Sequence, residues 1–303
     1  MSPEARAALV SALGDAVRFD VPLSRFTSLR VGGAADALAA PPDRAALHRC
    51  LRACAEHRLP VTVLGGGFNT LVRDGGIEGV VLRLQPLRAL RRDPQGDLVA
   101  EAGVSHATVT RHCVEQGLAG LEFAAGIPGS VGGWVAMNAG VPEREVKDVV
   151  RAVEVMDAEG ASRCLPAEAL AFAYRRSRLP EGAVVVAAAF RVHQSTREKV
   201  QSEVDRHLAK RARSQPLDVP SCGSVFKNPP GDFAGRLIEA AGLKGERVGG
   251  AEISEVHANV IVNRGGATAR DVLALIDEAR RRVRERTGVE LEPEVRIVGR
   301  EAA

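Results

Sequence analysis

Two glycine-rich segments could close backbone N–H groups on an anion. Residues 126–140 carry five glycines in fifteen positions: Gly126, Ile127, Pro128, Gly129, Ser130, Val131, Gly132, Gly133, Trp134, then Val135 to Asn138, Ala139 and Gly140. Such density removes Cβ atoms and lets successive amides converge, with Ser130 and Asn138 able to add side-chain bonds. Gly65, Gly66, Gly67, Phe68, Asn69 and Thr70 offer a second wall, and between two such walls a pyrophosphate-bearing cofactor could lie. A pair of tight turns without a ligand fits the same residues. Tyr174-Arg175-Arg176-Ser177 presents planar guanidinium forks suited to a carboxylate or phosphate, or simply a solvated basic turn. The run Cys222 to Pro229 sets small, hydroxyl, cationic and amide groups between prolines, as a polar loop facing a ligand would, or as an ordinary loop. His257-Ala258-Asn259 precedes a strand and fits a cap, and Glu290, Glu292, Glu294 and Arg296 share one face of the last strand, where pattern singles out none of them.

Regular elements must hold these groups in place. The segment to about residue 18 reads as a short helix, and Asp43 caps a helix to about Arg58 with Leu47, Cys50, Leu51 and Cys54 on one face. A strand at 61–64 runs into the first glycine loop. Ser105 starts and Gly117 stops another helix, and strands at 149–157 and 183–192 flank the Tyr174 turn. A helical stretch from about Thr196 ends before Pro216 and Pro220. Thr268 and Asp271 form a capping box on a long helix whose apolar face is Val272, Leu275, Ile276, Ala279 and Val283, and residues 289–298 alternate as a strand. The pattern is α+β with three units: 1–84, 85–195 and 196–303.

Composition excludes several classes of function. With 303 residues, 45% hydrophobic and 26% charged, the chain is an ordinary globular one, and a net charge of +3 is too small to make nucleic acid or an anionic membrane its partner. No apolar run approaches the ~20 residues that span a bilayer, and the start has no apolar leader, so a cytoplasmic protein is expected. Five cysteines without CxxC spacing give no metal site, and Cys50 and Cys54 read as buried, reduced thiols. The Walker A, HExxH and GxSxG signatures are absent, and Thr70 stands where a Rossmann fingerprint needs its third glycine.

Taken in order, the strings TSLRVGGAAD, GGGFNTLVRDGG, GIPGSVGGWVAMNAG, FAYRRSRL, GSVFKNP, AGRLIEAAGLKG, HANVIVNRGGATARDV and LEPEVRIVG resemble the UDP-N-acetylenolpyruvoylglucosamine reductase family, in its shorter, type II branch. The resemblance covers nearly the whole chain. It implies two FAD-binding subdomains of the PCMH or vanillyl-alcohol-oxidase type and a C-terminal α+β substrate domain. It also implies non-covalent FAD, NADPH as hydride donor, UDP-N-acetylglucosamine enolpyruvate as substrate, and a monomer. By the same resemblance Arg30, Gly32, residues 65–70, Gly126 to Ser130, Gly132, Gly133 and Asn138 to Gly140 surround the cofactor. Arg175 would bind the enolpyruvyl carboxylate, Ser224 would be the proton donor and Glu294 the C-terminal catalytic glutamate. Tyr174, Lys227, Asn228, Arg236, His257 and Asn259 would contact the rest of the substrate. Phe68 and Trp134 depart from the family pattern, the indole being expected to crowd the flavin or nicotinamide side. An oxygen-using FAD oxidase of the same architecture is disfavoured, because the third-unit strings match the reductase and no histidine sits in the glycine loops for flavin attachment.

Overall fold

The structure, a computed structural model, describes residues 1–302 as a mixed α+β chain divided into two compact units. The first comprises Met1–Phe19, Ala37–Gly66 and Gly79–Arg211. Its N-terminal helix, Pro3–Leu13, is capped by Ser2 and stops earlier than the sequence suggests, because Gly14 turns the backbone to φ +55° and Val17 opens a strand. The helix Arg44–Glu56 starts where expected, with Asp43 accepting the Ala46 N–H at 2.7 Å. It buries Leu47, Cys50, Leu51 and Cys54, and both cysteines are free thiols. The strand Val61–Val63 lies parallel to Ile77–Leu82 in a four-stranded sheet. A five-stranded antiparallel sheet follows, in the order Ser162–Pro166, Val150–Met156, Val184–Phe190, Leu98–Glu101, Leu90–Arg92. The helix His106–Gln116 begins at Ser105 and ends at left-handed Gly117, as their residue types predict.

The glycine-rich stretch holds a helix that residue counting does not suggest, Val131–Met137, closed by Asn138 in the left-handed region. Gly132 permits its packing: a Cβ there would meet the Ala102 Cβ at 3.0 Å.

The second unit comprises Asp20–Asp36, Gly67–Glu78 and the chain from Ala212 on. Its antiparallel sheet runs Ser221–Ser224, Val260–Asn263, Ala251–Ile253, Arg247–Val248. The helix Ala269–Thr287 packs its predicted face, Val272, Leu275, Ile276, Ala279 and Val283, into this unit's core. Its Thr268/Asp271 capping box forms as expected. A second cap comes from far away in sequence: the Asp74 carboxylate accepts the N–H groups of Ala269 at 2.8 Å and Arg270 at 2.9 Å.

The expected strand over 289–298 is shorter. Only Arg296–Val298 is strand, paired in parallel with Thr70–Val72. Before it, Pro293 lacks an N–H, and residues 292–295 spend their backbone groups on 225–227 instead. Asp74→Ala removes two charge-assisted bonds at a helix N-terminus, so it should lower unfolding stability by about 1–3 kcal/mol. The check is urea denaturation, with Thr268→Ala expected nearer about 1 kcal/mol.

Candidate active site

In the first unit the two glycine walls meet at Ser130. A Cβ on Gly65 would approach Ser130 Oγ to 3.3 Å, and one on Gly133 to 3.9 Å. The Gly126–Gly129 turn is held from behind: Gly126 O accepts from Arg211 Nη1 at 2.9 Å, and Gly129 O accepts from the His106 N–H at 3.1 Å. Burial lowers the pKa of both the Arg211 guanidinium and the His106 imidazole. A Cβ on Gly129, at φ +124°, would touch the Trp134 indole at 3.9 Å, and one on Gly133 would clash with nothing.

Downstream, Gly140–Val141 and Arg144–Glu145 form a small hairpin in which Glu145 lies opposite Gly140. Tyr174 and Arg175 occupy the tip of a tight turn closed by Ala173 and Arg176, which exchange both backbone bonds. Arg175 adopts φ +55° there and donates from Nη2 to Gly140 O at 3.2 Å, while its Nη1 lies 3.6 Å from Glu145 Oε1. The guanidinium also stacks over the Tyr174 ring, 4.8 Å from its centroid.

In the second unit the early loop staples two other segments. Ser28 Oγ lies 2.6 Å from Ser221 O and 2.9 Å from Gly67 O. Gly32 lies against the strand Thr70–Val72, where a Cβ would meet Val72 Cβ at 2.6 Å, and exposed Arg30 takes φ +59°. Asn69 Nδ2 donates to Glu294 O at 3.1 Å, and Asn69 O accepts the Arg296 N–H at 3.1 Å. The Ser224 loop is pinned to the same segment: Val225 O accepts from Glu294 N at 2.7 Å and Val295 N at 3.2 Å, and Lys227 N donates to Glu292 O at 2.9 Å. Ser224, Glu294 and Asn69 are thus brought together from three remote parts of the chain. Lys227 pairs with Glu292, Arg236 with Asp232, and Asn228 Oδ1 accepts the Ala234 N–H at the start of a helix.

The comparisons with known proteins fall on these same segments. Residues 215–298 match the family described as UDP-N-acetylenolpyruvoylglucosamine reductase, C-terminal domain, and residues 35–164 match an FAD binding domain. The UDP-N-acetylenolpyruvoylglucosamine reductase of Anaeromyxobacter sp. (strain Fw109-5) is 53% identical over 94% of this chain and 89% of its own. The chain belongs to the UDP-N-acetylenolpyruvoylglucosamine reductase family. A crystal structure of the Thermus caldophilus reductase covers 93% of this chain and all of its own, at 38% identity and a TM-score of 0.80. Physcomitrella patens BBE-like 1, 17% identical over 63% of this chain and 44% of its own at a TM-score of 0.51, shares the fold of that portion alone. The protein is therefore an FAD-dependent reductase of peptidoglycan precursor synthesis. Its glycine-rich residues fit that cofactor in chemistry, because Gly65 and Gly133 bring backbone without a side chain to within van der Waals reach of the Ser130 hydroxyl.

Three residues singled out in the sequence are almost fully buried. The Trp134 indole is 2% exposed and packs in the first unit's core, with Nε1 buried and without a hydrogen-bond partner, and a Cβ on Gly129 would meet that Nε1 at 3.9 Å. Asn138 is 0% exposed, and its amide is spent on Glu145, Ala173 O and the Lys147 N–H, so it organises the hairpin and turn. Asn259 is 3% exposed and exchanges two bonds with the Phe226 backbone, at 2.8 and 2.9 Å, which hold the Ser224 loop. Phe68, by contrast, is exposed. Sequence reasoning missed Ser28, Asp74 and Glu145; each lies inside or beside a quoted motif, but each has a partner remote in sequence, Ser221, Ala269 and Arg175 respectively.

His257 supports the Asn259 position, its Nδ1 accepting the Asn259 N–H at 3.1 Å. Burial lowers its pKa, so the folded protein keeps it neutral while the unfolded chain protonates near pH ~6.5. Its stabilisation is therefore present above that pH and lost as pH falls below it. His257→Asn, which keeps an acceptor near the Nδ1 position, should flatten the loss of stability between about pH 7 and pH 5 in urea titrations.

Proposed function

We propose that the chain reduces UDP-N-acetylglucosamine enolpyruvate to UDP-N-acetylmuramate with NADPH, as a cytoplasmic, monomeric enzyme of the type II branch with no nucleic-acid or membrane partner. In this reading residues 1–84 and 85–195 carry the two halves of the cofactor fold, and 196–303 the substrate-binding part. The type II assignment is supported by the short path from the Arg175 turn to Ser224, which holds two strands and one helix. FAD, when bound, supplies the hydride relay between NADPH and C3 of the enolpyruvyl group.

The residues then divide the remaining work. Arg30, Gly32, residues 65–70, Gly126, Ile127, Pro128, Gly129, Ser130, Gly132, Gly133, Ala139 and Gly140 are the residues assigned to the cofactor. Arg175 binds the substrate carboxylate, and its charge makes C3 electrophilic by stabilising the enolate-like anion formed as hydride arrives. Glu294, protonated, stabilises the same anion. The Ser224 hydroxyl protonates C2; a serine is a weak acid, but a carbanionic carbon is a far stronger base than water, so a positioned donor suffices. Tyr174, Lys227, Asn228, Arg236 and His257 contact the sugar nucleotide.

The observation that carries this reading is the pair of hydrogen bonds to Val225 O from the Glu294 and Val295 amides, which sets the glutamate segment beside the residue that follows Ser224. Ser224→Ala should leave flavin reduction by NADPH nearly intact and slow reoxidation by the enolpyruvyl substrate by orders of magnitude. Stopped-flow absorbance of the two half-reactions tests it, and equal loss in both would refute the assignment.

A further inference from the structure

We infer that Glu145 is a positioning residue that orients the Arg175 guanidinium for the substrate carboxylate. The inference rests on the proposed role of Arg175. Glu145 and Arg175 side chains are only 15% and 18% exposed, so their ion pair is shielded from water on most sides. Arg175 sits at the tip of its turn at φ +55°, a conformation that residues other than Gly and Asn avoid at a cost of roughly 1–2 kcal/mol. Strain of this kind persists where surrounding contacts over-determine it, and it concentrates at functional positions.

Those contacts converge on one small hairpin. Because Glu145 lies opposite Gly140, the Gly140 carbonyl and the Glu145 carboxylate are presented side by side, and Arg175 meets both with different terminal nitrogens. Gly140 cannot be larger, since a Cβ would lie 2.7 Å from the Glu145 Cα and Cγ. The carboxylate is itself pinned. Oε2 accepts from Asn138 Nδ2 at 3.0 Å and pairs with Lys147 Nζ at 2.8 Å, and Glu145 shares a capping box with Asp148, whose carboxylate accepts the Glu145 N–H at 2.8 Å. Asn138, fully buried, also donates to Ala173 O at the base of the Arg175 turn. One amide therefore sets the spacing between the turn that carries the arginine and the carboxylate that aims it. Ser177 closes the other side, its hydroxyl donating to Ala136 O at 3.0 Å.

A guanidinium already fixed in two of its directions loses little freedom when it engages a carboxylate, so the benefit appears in the substrate half-reaction. The test uses the flavin-loaded enzyme in five forms: wild type, Glu145→Gln, Glu145→Asp, Arg175→Ala and the Glu145→Gln/Arg175→Ala double variant. Glu145→Gln should raise KM for the enolpyruvyl substrate and slow flavin reoxidation by about tenfold to a hundredfold, leaving flavin reduction by NADPH unchanged. Glu145→Asp, which keeps the charge but withdraws it by one methylene, should act in the same direction more weakly, and it carries the test if Glu145→Gln does not fold.

In the Arg175→Ala background the Glu145 change should add less than about twofold, because its target is gone. The guanidinium resonances of Arg175 in proton–nitrogen NMR spectra should report restricted rotation in wild type and averaged rotation in Glu145→Gln. A Glu145 effect that is undiminished without Arg175, or an unchanged substrate half-reaction in Glu145→Gln beside a defective Arg175→Ala, overturns this inference alone. A wild-type substrate half-reaction in Arg175→Ala overturns the carboxylate role of Arg175 and this inference with it.

Discussion

The carbonyl oxygen of Val225 accepts two backbone N–H groups, from Glu294 and Val295, and the placement of the Glu294 segment in the second unit depends on that bifurcated acceptor. A carbonyl has two lone pairs, so one oxygen can fasten a strand end without the ladder of a regular sheet. Pro293 makes this arrangement necessary, since it cannot donate and so interrupts any continuous pairing of residues 290–298. The result places a carboxylate-bearing residue beside the loop that carries Ser224. Asn69 adds a side-chain bond to Glu294 O and so ties the end of the first glycine loop to the same point.

Much of the polar inventory in this protein acts on backbone rather than on ligand. Asn259, Asn263, Asn138, Asp74 and Ser28 each spend side-chain atoms on main-chain groups of a segment remote in sequence. Asn263, for example, donates to Leu29 O while accepting from Gly265 and Ala267. Loops rich in glycine and proline have no regular ladder to satisfy their amides and carbonyls, and a buried amide left unpaired costs about 1–3 kcal/mol. Short amide and carboxylate side chains meet that need while fixing the loops to within a hydrogen bond's tolerance. A serine or arginine carried on such a loop is held because the loop has few alternatives.

The first unit solves a different problem. Its glycines are not interchangeable: a Cβ on Gly132 or Gly140 would press on protein atoms at 3.0 Å or less, whereas one on Gly129 or Gly133 would make only ordinary contact. Four glycines of one stretch therefore divide into two that packing requires and two that it does not. Trp134, on the short helix between them, is turned inward with its indole edge beside Gly129.

Local rules make a good part of the fold legible in the order of residues alone. Ser105 with Gly117, Asp43, and Thr268 with Asp271 mark helix ends because capping depends on neighbours three residues away, and apolar spacing identifies the buried faces of the helices they bound. The ordered set of motifs likewise carries the family, the cofactor and the candidate residues Arg175, Ser224 and Glu294. Tertiary structure alone decides how those residues are held. That Asn138 and Asn259 serve as internal braces, that the last strand is short, and that Glu145 reaches Arg175 all follow from pairings between segments remote from one another along the chain. Residue type states which bonds a side chain is able to make; only the folded chain determines which partner arrives first and excludes the others.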